Sequence, residues 1–223
     1  MIRGARIESL YLAGPAGRLE AVLKHPPVPA SPAGDDDARA DPPAVAVVCH
    51  PHPLFGGTLH NKVVHAAAEA LARRGLPTLR FNFRGVGRSA GRHDNGRGEQ
   101  EDLGAALAFL EERYPGRKIL AAGYSFGAFV ALAVGCADER VVSLVAIAAP
   151  VGVYPFGFLR ACRKPLVLIQ GEADPLAPLP LALALAAALP AGARVVPIPG
   201  ADHAFRGRLD LVGQRVEEVA ASL

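Results

Sequence analysis

Apolar and polar positions follow two rhythms along this chain. The segment 7–12 reads as a strand and 19–23 alternates like a returning one after a Gly14-Pro15-Ala16-Gly17 turn, which predicts an antiparallel hairpin. From residue 44 the rhythm changes. Continuous apolar, β-type runs at 45–49, 78–83, 118–122, 141–148, 166–169 and 194–198 predict strands buried on both faces. Between and after them, stretches near 60–74, 99–113, 126–136, 178–189 and 205–221 predict helices. Alternation of this kind implies a mostly parallel central sheet wrapped on both faces by helices, an α/β architecture. Residues 26–43 are Pro, Ala, Gly and Asp with almost nothing to bury, which predicts a flexible surface loop. Too little chain precedes that loop to fold alone, so a single domain over 1–223 is expected. No internal repeat is visible.

Composition acts mainly by exclusion. The chain is 51% hydrophobic and 20% charged, the profile of a globular protein with a sizeable core. It has no Trp and only 6% aromatic residues, which argues against an aromatic platform for bases or sugars. The net charge of +3 comes from arginines scattered along the chain rather than from a basic block, so no nucleic-acid partner is expected. Cys49, Cys136 and Cys162 are widely spaced, form no CxxC pair and suggest no zinc site; Cys49 and Cys136 read as small core residues. The first residues lead into no apolar run of the signal-peptide type. The apolar stretch 176–189 is interrupted by prolines and is too short to span a bilayer. A cytoplasmic protein without a membrane partner is the expectation.

Chemistry enters at Gly123-Tyr124-Ser125-Phe126-Gly127, a G-x-S-x-G pattern with a predicted strand before it and a predicted helix after it. That setting makes a sharp strand-to-helix turn, with the serine hydroxyl pushed out of the sheet and glycines letting neighbouring backbone pass close by. A serine hydroxyl barely ionises at neutral pH and needs a base. The partners of such a serine follow in the chain order acid, then histidine, each after a later strand. Strand 166–169 is followed by Gly171-Glu172-Ala173-Asp174-Pro175, and strand 194–198 by Gly200-Ala201-Asp202-His203. Of seven histidines only His203 lies after the last strand, so it is the expected general base. Asp174 is the expected orienting acid. Glu172 and Asp202 are the alternatives, with Asp202 better placed to cap the helix that follows.

Attack on a carbonyl creates an oxyanion that needs two backbone N–H donors. Phe126, directly after the serine, is one candidate. The other lies in His50-Pro51-His52-Pro53-Leu54-Phe55-Gly56-Gly57-Thr58, where the prolines have no N–H and leave His52 and Leu54. His50 and His52, two apart and without a nearby carboxylate, are weak metal ligands, and no metal is expected. The loop Phe83-Arg84-Gly85-Val86-Gly87-Arg88-Ser89-Ala90 contains G-x-G-x-x-A, but a polar, glycine-rich stretch follows where a nucleotide-binding helix should begin. It reads as a structural turn on the active-site rim.

With these motifs in place, the chain from residue 44 onward resembles the α/β-hydrolase superfamily. The run from Cys49 to Thr58 with Asn61-Lys62-Val63-Val64, and the segment Phe81-Asn82-Phe83-Arg84-Gly85-Val86-Gly87-Arg88-Ser89, resemble a group of small bacterial serine hydrolases. The wider superfamily often has His-Gly where this chain has His50-Pro51, and Asp where it has Asn82. The resemblance implies the α/β-hydrolase fold and hydrolysis of small carboxylic esters with no metal or organic cofactor. An amidase or peptidase with the same triad, and a non-catalytic hydrolase-like binding scaffold, are the alternatives. Many relatives insert a lid where this chain has only residues 150–164. The expectation is a minimal lid or none, with the apolar segment 151–159 as a low wall over an open acyl pocket that prefers short acyl chains.

Overall fold

The computed structural model describes residues 2–3, 6–29 and 42–223. Among these residues, ten strands and five α-helices follow in the order β1 (Ile2–Arg3), β2 (Ile7–Gly14), β3 (Gly17–Lys24), β4 (Val28–Pro29), β5 (Ala44–Cys49), α1 (Lys62–Arg73), β6 (Thr78–Phe81), α2 (Arg97–Arg113), β7 (Lys118–Tyr124), α3 (Phe126–Ala137), β8 (Val141–Ile147), β9 (Leu166–Gly171), α4 (Leu179–Ala188), β10 (Arg194–Ile198) and α5 (Leu209–Ala220). Eight strands form one sheet in the order β10-β9-β8-β7-β5-β6-β3-β2. The six from β5 onward run parallel, and the β2–β3 hairpin joins antiparallel through β3 against β6. This is the mostly parallel α/β sheet that the sequence pattern predicts. β1 and β4 form a separate antiparallel pair. Most of the expected loop at 26–43 lies outside the described residues.

The continuous apolar strands are explained by their two-sided burial. Along β5, Val45, Val47 and Cys49 enter one core while Ala44, Ala46 and Val48 enter the other. β7, β8 and β9 divide in the same way: Leu144 and Ala146 face one side, Val145 and Ile147 the other. A strand's side chains alternate between faces, so a parallel strand covered on both sides is apolar along nearly its whole length. Helices α2, α3 and α4 cover the first face and α1 and α5 the second. α1 starts where it does because the Asn61 Oδ1 accepts the N–H groups of Val63 and Val64. Its apolar stripe of Val63, Val64, Ala67, Ala68 and Leu71 then faces the sheet.

Several expectations change in detail. β6 ends at Phe81: the Asn82 N–H still donates to Glu20 O of β3, but the Phe83 N–H turns away from the sheet to the His50 ring. Asp202 does not cap α5. Its Oδ1 accepts the N–H of Arg206 within a separate turn, and α5 starts only at Leu209. Cys49 is a small core residue as expected, fully buried, and burial pushes its thiol pKa up. Cys136 is not: it is only partly buried and forms a disulfide with Cys162, with Cα atoms 5.2 Å apart.

Candidate active site

β7 ends at Tyr124 and α3 begins at Phe126, which leaves one residue to turn the chain. That residue, Ser125, has φ 55° and ψ −119°, a backbone conformation that side-chain-bearing residues rarely adopt. The turn is tight enough to require its glycines. A Cβ on Gly123 would lie 2.1 Å from Gly127 O, and one on Gly127 would lie 2.4 Å from His50 O. The strained turn thus rests against the C-terminal end of β5, next to the loop expected to supply the second oxyanion donor.

Ser125, His203 and Asp174 come together at this turn. His203 Nε2 lies 3.0 Å from Ser125 Oγ, and His203 Nδ1 lies 2.7 Å from Asp174 Oδ2. The Asp174 side chain is fully buried, and its second oxygen accepts the N–H groups of Leu176 and Ala177 at 2.8 and 2.9 Å. Both carboxylate oxygens are therefore committed, which fixes the carboxylate's orientation toward the imidazole. The turn bearing the histidine is held by Tyr124, whose hydroxyl donates to His203 O at 2.9 Å. Burial, with the nearby Asp174 and Asp202 carboxylates, pushes the Tyr124 phenol up to about 12, so it remains a donor. Glu172 lies elsewhere, accepting the Gly200 N–H. Asp202 is tied to Arg206.

The two oxyanion candidates in the loop after β5 part company. The Leu54 N–H donates to the ring of its neighbour His52, with its nitrogen 3.2 Å from His52 Nδ1, and Leu54 is largely exposed. The His52 N–H has no acceptor among the described residues. Phe126 is the first residue of α3, so its N–H has no intrahelical partner either. The His52 ring packs 5.0 Å from that of Phe126, and on its other sides against Phe55 and His93. On the far side of Phe126 an aromatic wall rises. Phe129 stacks on Tyr154 at 4.8 Å and meets Phe156 and Phe158 edge-on. Tyr154, Phe156 and Phe158 come from the short connection between β8 and β9, whose only helical element is a 3-10 turn at Gly157–Ala161.

A profile of the hydrolase family described as serine aminopeptidase, S33, matches residues 40–159, more than half of the chain. The chain belongs to this family. Among solved structures, it is similar to an α/β serine hydrolase without a lid from Xanthomonas campestris, with TM-score 0.86, 33% identity, and coverage of 97% of this chain and 94% of that one. It is also similar to an α/β serine hydrolase homologue from Coxiella burnetii, with TM-score 0.83, 37% identity and coverage of 95% and 96%. An uncharacterized protein of Rickettsia prowazekii is 38% identical over 169 residues, 74% of this chain and 66% of the Rickettsia protein. The fold is that of the α/β-hydrolases.

In this S33-family chain the sequence motifs do not reveal what holds the site in place. The fully buried His50 appears in the sequence beside His52 as a weak metal ligand. In the structure its Nδ1 donates to Pro51 O and its Nε2 accepts the Phe83 N–H at 3.0 Å, so both nitrogens are used by backbone. Burial pushes its pKa down to about 4, which keeps the ring neutral. Asn82 Oδ1 accepts the Leu59 N–H at 2.7 Å, and Arg80 donates to Leu59 O. The loop between β5 and α1 is thus anchored at both ends to the end of β6. Gln170 does the same for the acid turn, accepting the Ala149 N–H and donating to Ala177 O. For Arg80, Asn82 and Gln170 the available signal was a polar residue in or at the end of an apolar strand run; for His50 it was a polar residue directly after one. The G-x-G-x-x-A loop is knitted to the hairpin, with Ala90 N–H on Arg18 O, Arg88 N–H on the Glu20 carboxylate and Ser89 bridging Glu20 and Asn82. No helix starts there; α2 begins at Arg97.

Proposed function

We propose that the chain is a serine hydrolase that cleaves small carboxylic esters with Ser125 as nucleophile, His203 as general base and Asp174 as the orienting acid. The observation that carries this reading is the continuous hydrogen-bonded line from Asp174 Oδ2 through both ring nitrogens of His203 to Ser125 Oγ. His203 takes the Ser125 proton as the hydroxyl attacks the ester carbon. Asp174 holds the tautomer whose Nε2 lone pair faces the hydroxyl and stabilises the imidazolium that forms. The oxyanion is received by the N–H groups of Phe126 and His52, at the N-terminus of α3, where the helix dipole adds to the stabilisation. His203 then protonates the departing alcohol. Water, activated by the same imidazole, releases the acid from the acyl-enzyme.

Ester rather than amino-terminal peptide cleavage is favoured by how the acidic side chains are used. An aminopeptidase needs a carboxylate to hold its substrate's ammonium group. Among the described residues, the acids close to this site are already engaged: Glu99 is fully buried and accepts from His93 and from the N–H groups of Asp94 and Gly96, Asp202 binds Arg206, and Glu172 binds the Gly200 N–H. The low aromatic wall of Phe129 and Tyr154 suits a short acyl chain. We further propose that it acts as one domain without cofactor, and in the cytoplasm, where the Cys136–Cys162 pair would be held as thiols.

The test is hydrolysis of p-nitrophenyl acetate, butyrate and dodecanoate beside alanine p-nitroanilide, by the wild type and by Ser125→Ala. The reading expects ester turnover that vanishes in the variant, acetate or butyrate faster than dodecanoate, and little anilide turnover. Faster anilide turnover would move the peptidase reading forward. Activity equal in both proteins, or no labelling of Ser125 by a fluorophosphonate, would leave a binding scaffold.

A further inference from the structure

On the α1 and α5 side of the sheet, whereas the aromatic wall packs with α3 on the other, lies an open cleft of about 650 Å³. Its lining includes Tyr124 and Ala204, the immediate chain neighbours of Ser125 and His203. The charged or titratable side chains that line it are Lys62, Arg206, His60 and the neutral phenol of Tyr124, and among the described residues no carboxylate does. Lys62 is the first residue of α1, so the positive end of that helix points the same way. Arg206 pairs through one terminal nitrogen with Asp202 Oδ2 at 2.8 Å, and its other side-chain nitrogens make no further hydrogen bond among the described residues. The nearest acids on the packed helices, Glu69 and Asp210, line the neighbouring cleft between α1 and α5, and Glu69 is paired there with Lys24.

We infer that this cleft binds an anionic group, carboxylate or phosphate, on the leaving alcohol of the substrate. The inference rests on the triad reading above and deepens it. The leaving oxygen must sit against His203, which protonates it. A substituent beyond that oxygen therefore extends past Ala204 and Tyr124 into the cleft, toward Lys62 and Arg206. The acyl half points the other way, to Phe126, Phe129 and Tyr154. An apolar acyl half and an anionic alcohol half match the two walls. Both cations are solvent-exposed, so each contributes a modest, salt-sensitive attraction, roughly three- to five-fold in affinity.

The experiment compares 4-acetoxybenzoate and 4-acetoxyphenyl phosphate with the neutral methyl 4-acetoxybenzoate, using the wild type and the double variant Lys62→Glu/Arg206→Glu. The wild-type to variant ratio of kcat/KM should be about ten for the anionic esters and within two-fold of unity for the neutral one. The effect should shrink in 0.5 M salt, and the two anionic esters tell carboxylate from phosphate. Lys62→Gln/Arg206→Gln repeats the test without adding carboxylates beside Asp202. Equal ratios for charged and neutral esters would overturn the cleft while leaving the triad reading intact. If no ester shows Ser125-dependent turnover, the triad reading fails, and binding of the product anions 4-hydroxybenzoate and 4-hydroxyphenyl phosphate decides the cleft by calorimetry. Binding weakened about tenfold in the double variant sustains it; unchanged or absent binding overturns it.

Discussion

The ring of His50 accepts the backbone N–H of Phe83 at 3.0 Å, and this bond ties the end of β5 to the chain leaving β6. It exists only while Nε2 is unprotonated. The His50 pKa is pushed down by burial from 6.5 to about 4. Below pH 6.5 the unfolded chain therefore takes up a proton that the folded chain refuses. The stability contributed by His50 is whole above that pH and is lost as pH falls toward 4, about 3 kcal/mol in all. Urea unfolding at pH 7 and pH 5 should show about 2 kcal/mol lost from this group. His50→Gln should be less stable at pH 7 and should lose less between the two pH values. An equal loss in both proteins would remove His50 as the cause.

The triad geometry predicts non-additive losses. Ser125→Ala and His203→Ala should each lower kcat by roughly a million-fold, and the double variant should be no worse than either. Asp174→Asn is the more informative change. Its carbonyl oxygen can still accept the N–H groups of Leu176 and Ala177, so the turn should survive, while its amide faces His203 Nδ1 with a donor. The imidazole must then carry its proton on the wrong nitrogen, and kcat should fall by roughly ten-thousand-fold with melting temperature little changed. Loss of less than tenfold would contradict the assigned role.

Close backbone passage at the elbow can be tested by a single methyl group. A Cβ at position 127 would meet His50 O at 2.4 Å and Cys49 O at 2.5 Å, all rigid backbone. Gly127→Ala must push α3 away from β5, which should cost about 3 kcal/mol or more and lower hydrolase activity together with stability. Gly104→Ala is the control, because a Cβ there meets nothing within 4 Å and alanine is the better helix former. Near-equal melting temperatures for the two variants would refute the close approach.

What the chain reveals in advance follows from the range of each interaction. Strands β5, β7, β8 and β9 are legible because two-sided burial writes a nearly unbroken apolar run, and the β2–β3 hairpin because a glycine turn joins its two segments. Ser125, Asp174 and His203 are legible because each sits on a turn at the end of such a run. Chain order does not tell His52 from Leu54, since that choice depends on where the His52 ring turns, and it turns to accept Leu54's N–H. The buried pair of Arg84 with Asp102, both Arg84 Nε and Nη2 donating to the carboxylate, is equally hidden. Its partners lie on separate elements, and no local spacing marks them.

Cys136 and Cys162 are the clearest case of long-range pairing, 26 residues apart with no motif between them. The bond fastens the last turn of α3 to the connection whose Tyr154, Phe156 and Phe158 pack on Phe129. Closing a loop of this length should contribute about 3 kcal/mol, most of it by restricting the unfolded chain. For a chain of this size, that corresponds to a melting temperature lower by about 6–12 °C in reductant, or in Cys136→Ser/Cys162→Ser. Oxidised protein unfolded without reductant should show one reactive thiol, Cys49, and reduced protein three. The same count made on protein alkylated before cell lysis bears on compartment. The cytoplasm keeps thiols reduced and predicts three, whereas an oxidising compartment predicts one. Because the bond anchors the wall and not the triad, reduction should leave acetate turnover within about three-fold while easing the selection against longer acyl chains. Reduction that abolishes acetate turnover at a temperature where the protein is still folded would show that the wall and the nucleophile turn are not separable in this way.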